Sequence, residues 1–189
     1  MIGLAIDAIA VGDRAEITRI ASDVDIAAFI EAVGDDNPIH GDRAYAATTP
    51  FEERIAPAIW TAGLVSAVIG TRLPGPGAIY LAQDLRFLKP VKFGDVITAC
   101  VEVLEVRSER NRVRLRTVCV NQRGEEVLTG EALVMPARAR VVYERPAPAF
   151  GAAALWLLQP WAWAAQATAA CAMLSLAALP ALLPRPRGD

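Results

Sequence analysis

The sequence predicts an α+β fold in which an antiparallel sheet is laid against a buried helix. Three features lead there: an early capped helix, a second helix that is apolar nearly all round, and four extended segments in series through the second half. The length of 189 residues is enough for one domain with a proper core.

Taken in order, Val11-Gly12-Asp13 is a turn signal, and the partial alternation of Arg14 to Ile20 suggests an edge strand. Ser22 is a good N-cap, with Asp25 three residues on as an acidic variant of the capping box. Ile26, Phe29, Ile30 and Val33 then give a helix one apolar face, and Gly34 ends it. Asp42 to Ala47 reads as a short helix, and Thr48 to Arg54 as a polar connection broken by Pro50. Ala58 to Ile69 is apolar nearly all round, with Gly63 and Ser66 among its small members, so this helix is expected to be buried on every side. Pro57 fits its first position and Gly70 its end. Ala78–Phe87, Val96–Val106, Arg112–Val120 and Glu126–Val134 read as strands, separated by turns at 92–95, 108–111 and 121–124. In Arg112 to Arg116 the arginines should face water while Val113, Leu115 and Thr117 face inward.

Composition narrows the function classes. A net charge of −2 with no basic block argues against nucleic acid as a partner. Cys100, Cys119 and Cys171 are few and set among apolar neighbours, so they read as core residues in a reducing cytoplasm rather than as a disulfide framework or a metal site. The first twenty residues lack a basic start followed by an apolar run, so no secretory signal is evident. The composition breaks at Glu144-Arg145-Pro146, leaving an uncharged stretch to Pro184 rich in Ala and Leu with three tryptophans. The segment between Pro160 and Pro180 has the length of a bilayer span, with Arg185 and Arg187 at its end. Alanine, Gln166, Thr168 and Ser175 dilute that signal, so membrane contact is the less favoured reading. An apolar helix packed on the domain, a loose appendage, or a tail foreign to the domain after a shifted reading frame are the others.

The chemistry concentrates in Gly34-Asp35-Asp36-Asn37-Pro38-Ile39-His40, a Pro-broken loop holding the only histidine. A turn needs no such density of hydrogen-bonding groups, and a surface histidine beside two capping aspartates is the plain reading of such a loop. The other reading is that Asp35 and His40, five positions apart across a stiff Asn-Pro, converge on one water as an acid/base pair.

The order G-D-x-N-P-x-H, followed by Leu73-Pro74-Gly75-Pro76-Gly77-Ala78-Ile79-Tyr80 and by Gln83 to Val91, resembles the MaoC-like hydratases, in particular (R)-specific enoyl-CoA hydratases. The resemblance spans roughly residues 8 to 136. It implies a hotdog fold over 8–140, with the sheet wrapped around the 58–69 helix, and an apolar tail at 146–189 outside it. It also implies reversible hydration of a trans-2-enoyl thioester to an (R)-3-hydroxyacyl thioester, which needs no cofactor or metal. Asp35 and His40 match the family's catalytic positions; Asn37 would orient the loop and Pro38 stiffen it. The Ala58 amide, at the positive end of the central helix, would stabilise the thioester oxygen. Gly63, Ser66, Arg72, Arg86 and Lys89 are the candidates for substrate contact, the last three for phosphate. The substrate would be acyl-CoA or an acyl-carrier-protein thioester, and the assembly a homodimer joined through its sheets.

Three departures accompany the match: Pro57-Ala58 stand where the family usually has His-Gly, and Gly63 where many members have a serine expected to hold the catalytic loop. A silent acyl-thioester-binding domain, or a hotdog acyl-CoA thioesterase, is the alternative.

Overall fold

The chain's arrangement is taken from a computed structural model that describes residues 1–144 and 146. Met1–Glu144 form one unit. Seven strands and four α-helices occur among the described residues. They are β1 (Ile2–Gly3), β2 (Arg14–Ile20), α1 (Asp23–Val33), α2 (Pro38–Gly41), α3 (Arg43–Ala46) and α4 (Ala58–Thr71), followed by β3 (Ile79–Phe87), β4 (Val96–Arg107), β5 (Arg112–Val120), β6 (Glu126–Met135) and β7 (Val141–Val142).

Five strands form one antiparallel sheet in the order β2-β4-β5-β6-β3, so β2 and β3 are its two edges. Tight turns join β4, β5 and β6, whereas β3 reaches its place beside β6 from across the molecule. The alternation of β5 is as expected: Val113, Leu115 and Thr117 are fully buried, while Arg114 and Arg116 point to water. The inner face of the sheet packs on α4 through Trp60, Leu64, Val65, Val68 and Ile69, which with Ile97, Val101, Val103, Leu128 and Val134 make the core. A helix enclosed by a sheet in this way is the hotdog fold.

Local chemistry explains the elements. Ser22 caps α1 by accepting from the Asp25 amide at 3.1 Å, and its hydroxyl donates to the Asp25 carboxylate at 2.9 Å. Gly34 ends α1 in the left-handed region at φ 71°, where a glycine costs least. Ile26 is fully buried, with Phe29 and Ile30 packed beside it.

The structure corrects several expectations. Val33 is exposed, so the apolar face of α1 stops at Ile30. The helix 58–69 is not buried on every side: Ile59 is 51 % exposed, and Ala58, Gly63, Ser66 and Gly70 are exposed too. Hydropathy alone could not reveal this, because the outward residues are small or apolar like the inward ones. Pro57 is the N-cap of α4 rather than its first residue, and Gly70 lies inside a helix that runs on to Thr71. The stretch around His40 is not all loop, since Pro38–Gly41 form a helical turn. β1 and β7, which pair with each other, carried too few residues to show periodicity. The segment between 160 and 180 weighed as a membrane span, with Arg185 and Arg187, lies outside the described residues; among those described, no helix is long and apolar enough to cross a membrane.

Candidate active site

The site begins where α1 stops. Gly34 turns the chain, and Asp35 follows with its amide donating to the Ile30 carbonyl at 3.2 Å. Asn37 then caps α2: its side-chain oxygen accepts from the Ile39 amide at 3.3 Å, and Pro38 takes the first helical position, where no N–H is required. One turn of helix places His40 pointing into the molecule, 8 % exposed.

His40 is held from the other side by a backbone carbonyl. Its Nδ1–H donates to Ile55 O at 2.7 Å. That carbonyl is fixed in turn, because Ile55 bridges to Lys92 and the Ala56 amide donates to Val91 O at 2.8 Å. A carbonyl can only accept, so Nδ1 carries the hydrogen and the neutral ring presents a lone pair at Nε2. Nε2 lies 3.7 Å from the Asp35 Oδ2. That is too long for a direct hydrogen bond and suits a water shared by the two. Asp35 Oδ1 accepts from the Asn37 amide at 3.4 Å, which ties the carboxylate to the turn that carries the histidine.

Beside this pair opens a cleft of about 470 Å³, lined among others by Asn37, His40, Phe51, Ala58, Thr61 and Lys89. It is apolar apart from His40, Asn37, Thr61 and Lys89. Ala58 starts α4, and among the described residues no side chain caps that helix. The first amides of a helix lack intrahelical partners and carry its positive end, and Ala58, the first residue of α4, lines the cleft. Lys89 donates to Glu125 at 2.6 Å. Asn121, Lys89 and Arg123 all bond the Glu125 carboxylate, which holds its pKa down to about 2.

The other named residues lie elsewhere. Arg86 is on the opposite face of the sheet, beside Asp84, Arg116 and Glu131. Arg72 is the C-cap of α4, at the far end of the helix from Ala58. Gly63 and Ser66 are on the exposed side of α4. Gly63 is five residues from Ala58, about 140° round the helix, and a Cβ added there would meet nothing within 4 Å. A serine at 63 would therefore not reach the Asp35–His40 turn of the same chain, contrary to the expectation. Phe51, Ile55 and Thr61 line the cleft without having been singled out from sequence. Nothing local marks them; Ile55 reaches it because the 55–56 segment pairs with 91–92, and Thr61 because it lies one turn into α4 from Ala58.

Comparison with known proteins identifies the family. The MaoC like domain matches residues 10–123. The 3-hydroxybutyryl-CoA dehydratase of Methylorubrum extorquens is 53 % identical over 113 residues, covering 60 % of this chain and 71 % of the relative. An (R)-specific enoyl-CoA hydratase of Rhodospirillum rubrum is 47 % identical over 128 residues, covering 67 % and 88 %. Among solved structures, an R-hydratase from Pseudomonas aeruginosa in the unliganded form superimposes with a TM-score of 0.71 at 43 % identity, covering 79 % of this chain and 98 % of that one. A family match over more than half of the chain, and relatives at these identities, establish that this protein belongs to the MaoC-like family.

Proposed function

We propose that this protein catalyses the reversible hydration of trans-2-enoyl-CoA to (R)-3-hydroxyacyl-CoA. The observation that carries the reading is the Asp35 carboxylate 3.7 Å from His40 Nε2, beside a cleft that Ala58 lines, in a chain 47 % identical to an (R)-specific enoyl-CoA hydratase.

In this reading one water donates to Asp35 and to His40 Nε2. As its oxygen attacks C3, one proton passes to Nε2, while the other stays on the new hydroxyl, held by Asp35. The electron pair of the double bond moves toward the thioester, whose oxygen is stabilised by the Ala58 amide at the start of α4. Nε2 then returns its proton to C2. The atoms of one water are added, both catalytic groups are restored, and no cofactor takes part. Asn37 and Pro38 set the turn that holds the pair. Lys89, at the edge of the cleft, is the candidate for a phosphate of the carrier.

The same reading makes the protein a homodimer, since among the described residues no strand pairs with the outer edge of β3, which carries exposed Ile79, Tyr80, Leu81 and Phe87. Cys100 and Cys119, both free thiols, suit a reducing cytoplasm. The test is loss of enoyl absorbance when the purified protein meets crotonyl-CoA, run beside an assay for released CoA. Hydration without release supports the proposal; release without hydration makes the protein a thioesterase.

A further inference from the structure

No side chain among the described residues caps α4, yet its first turn is fastened in place. Of the leading amides, Trp60 N donates to Pro57 O at 2.9 Å. Those of Ala58 and Ile59, which helix geometry leaves without intrahelical partners, have none elsewhere among the described residues.

The side chain that acts on this turn is Thr61. It is 2 % exposed, lines the catalytic cleft together with Ala58, and donates its hydroxyl to Ala58 O at 2.6 Å. Its own carbonyl accepts from the Cys119 thiol at 3.6 Å. Cys119 is fully buried on β5, and burial pushes its thiol up to about 12, so the hydrogen stays on sulfur. The turn is thus tied to the sheet behind it as well as to itself.

A trans peptide is planar, with its C=O and N–H pointing opposite ways, so a carbonyl held on one side aims the amide on the other. The Pro57 carbonyl shares a peptide with the Ala58 N–H, and the Trp60 amide holds it. The Ala58 carbonyl shares a peptide with the Ile59 N–H, and the Thr61 hydroxyl holds it. Both free amides at the positive end of the helix therefore have a fixed direction, the second through a side chain. Thr71 makes the same kind of bond at the far end of α4, to Ala67 O at 2.6 Å. The bond is ordinary for a helical threonine; the peptide it holds is what gives Thr61 a role.

We infer that Thr61 is a positioning residue of the reaction, acting through the peptide between Ala58 and Ile59 to aim the Ile59 N–H, beside that of Ala58, at the thioester oxygen. The inference rests on the hydratase reading, which puts that oxygen at the start of α4. Negative charge grows on the oxygen as water adds to C3, so a donor already aimed at it contributes more in the transition state than with the substrate at rest. Loss of the hydroxyl is therefore felt in turnover and not in affinity.

The experiment measures crotonyl-CoA hydration by the full chain, by Thr61→Val, by Thr61→Ser and by the control Thr71→Val. Thr61→Val keeps the shape and removes the hydroxyl. It should lower kcat about tenfold with KM within about twofold, a smaller loss than removal of a direct oxyanion donor brings. Thr61→Ser should restore most of the turnover, and Thr71→Val should leave it unchanged. A second readout follows the oxygen itself: bound 2,4-hexadienoyl-CoA absorbs at longer wavelength when its thioester is polarised, and Thr61→Val should shrink that shift while Thr61→Ser keeps it. A kcat for Thr61→Val within about twofold of wild type overturns the inference, as does an equal fall in Thr61→Ser, because the effect sought is that of one hydroxyl. An equal fall in Thr71→Val overturns it too, since the effect would then be one of helix stability. If Thr61→Val does not fold, Thr61→Ala takes its place in both readouts. Absence of crotonyl-CoA hydration in the wild type would instead defeat the hydratase reading. The shift of bound hexadienoyl-CoA would still test Thr61, with no shift in the wild type, or the same shift in Thr61→Val, counting against it.

Discussion

The hydrogen bond from His40 Nδ1 to Ile55 O determines which nitrogen faces Asp35, and so which atom can take a proton. If the two side chains share one water, they act as a unit. Asp35→Asn and His40→Ala should each lower turnover by about three orders of magnitude, with the double variant little worse, because such residues are not additive. More than a tenth of the activity surviving in both single variants would reject the pair. A second residue-scale outcome concerns Glu125. Its carboxyl, ordinarily near 4.5, is held down to about 2 in the fold by Asn121, Lys89 and Arg123. The charged form is the favoured one, so this contribution is whole above about pH 4.5 and is lost as the pH falls toward about 2. Glu125→Gln should therefore lose less Tm than the wild type between about pH 6 and pH 3, as calorimetry can show. Asp35 and His40 were legible in the sequence because a dense polar loop with a lone histidine is unusual. The Ile55 carbonyl was not, since a backbone group has no side-chain signature.

At the scale of elements, caps and turns were readable because they follow from local chemistry. Ser22, Gly34 and Asn37 each satisfy or end a helix with their own atoms. Ser22→Ala should cost about 1 kcal/mol in denaturant unfolding, the usual worth of an N-cap. The two-sidedness of α4 was hidden because it depends on what lies opposite each face, which periodicity does not record. Gly130 makes the same point on β6. A Cβ there would sit 1.9 Å from the Asp84 carbonyl oxygen, so Gly130→Ala should destabilise the fold by about 3 kcal/mol, the upper range for overpacking. Ordinary unfolding of Gly130→Ala within about 0.5 kcal/mol of wild type would show that β3 gives way at that point.

For the whole molecule, the break in composition at 144–146 sets the expectation that the domain does not depend on the residues beyond it. The unit Met1–Glu144 closes on itself: β1 pairs with β7, and the Met1 amino group donates to Tyr143 O at 2.7 Å. A chain ending near Pro146 should unfold cooperatively, keep the specific activity of the full chain, and stay soluble at higher concentration for want of the apolar stretch. Precipitation or loss of the cooperative transition would make the tail part of the core. The sheet order could not be read from the strands one by one, because β3 joins the far edge of a sheet that β4, β5 and β6 build by simple turns.

The two edges of that sheet differ in character. β2 ends the sheet with Arg14, Glu16, Thr18 and Arg19, and its Arg14 and Thr18 side chains are already tied to Glu102 and Thr98 of β4. β3 ends it with Ile79, Tyr80 and Leu81. One edge refuses a neighbouring strand and the other invites one. A strand that pairs only with its own copy makes a self-complementary contact with twofold symmetry, which is complete at two chains and offers nothing to a third. If the protein pairs through β3 as proposed, the polar β2 edge is what separates a closed pair from a growing fibre, and replacing its charges with valines is expected to show as concentration-dependent polymers in light scattering.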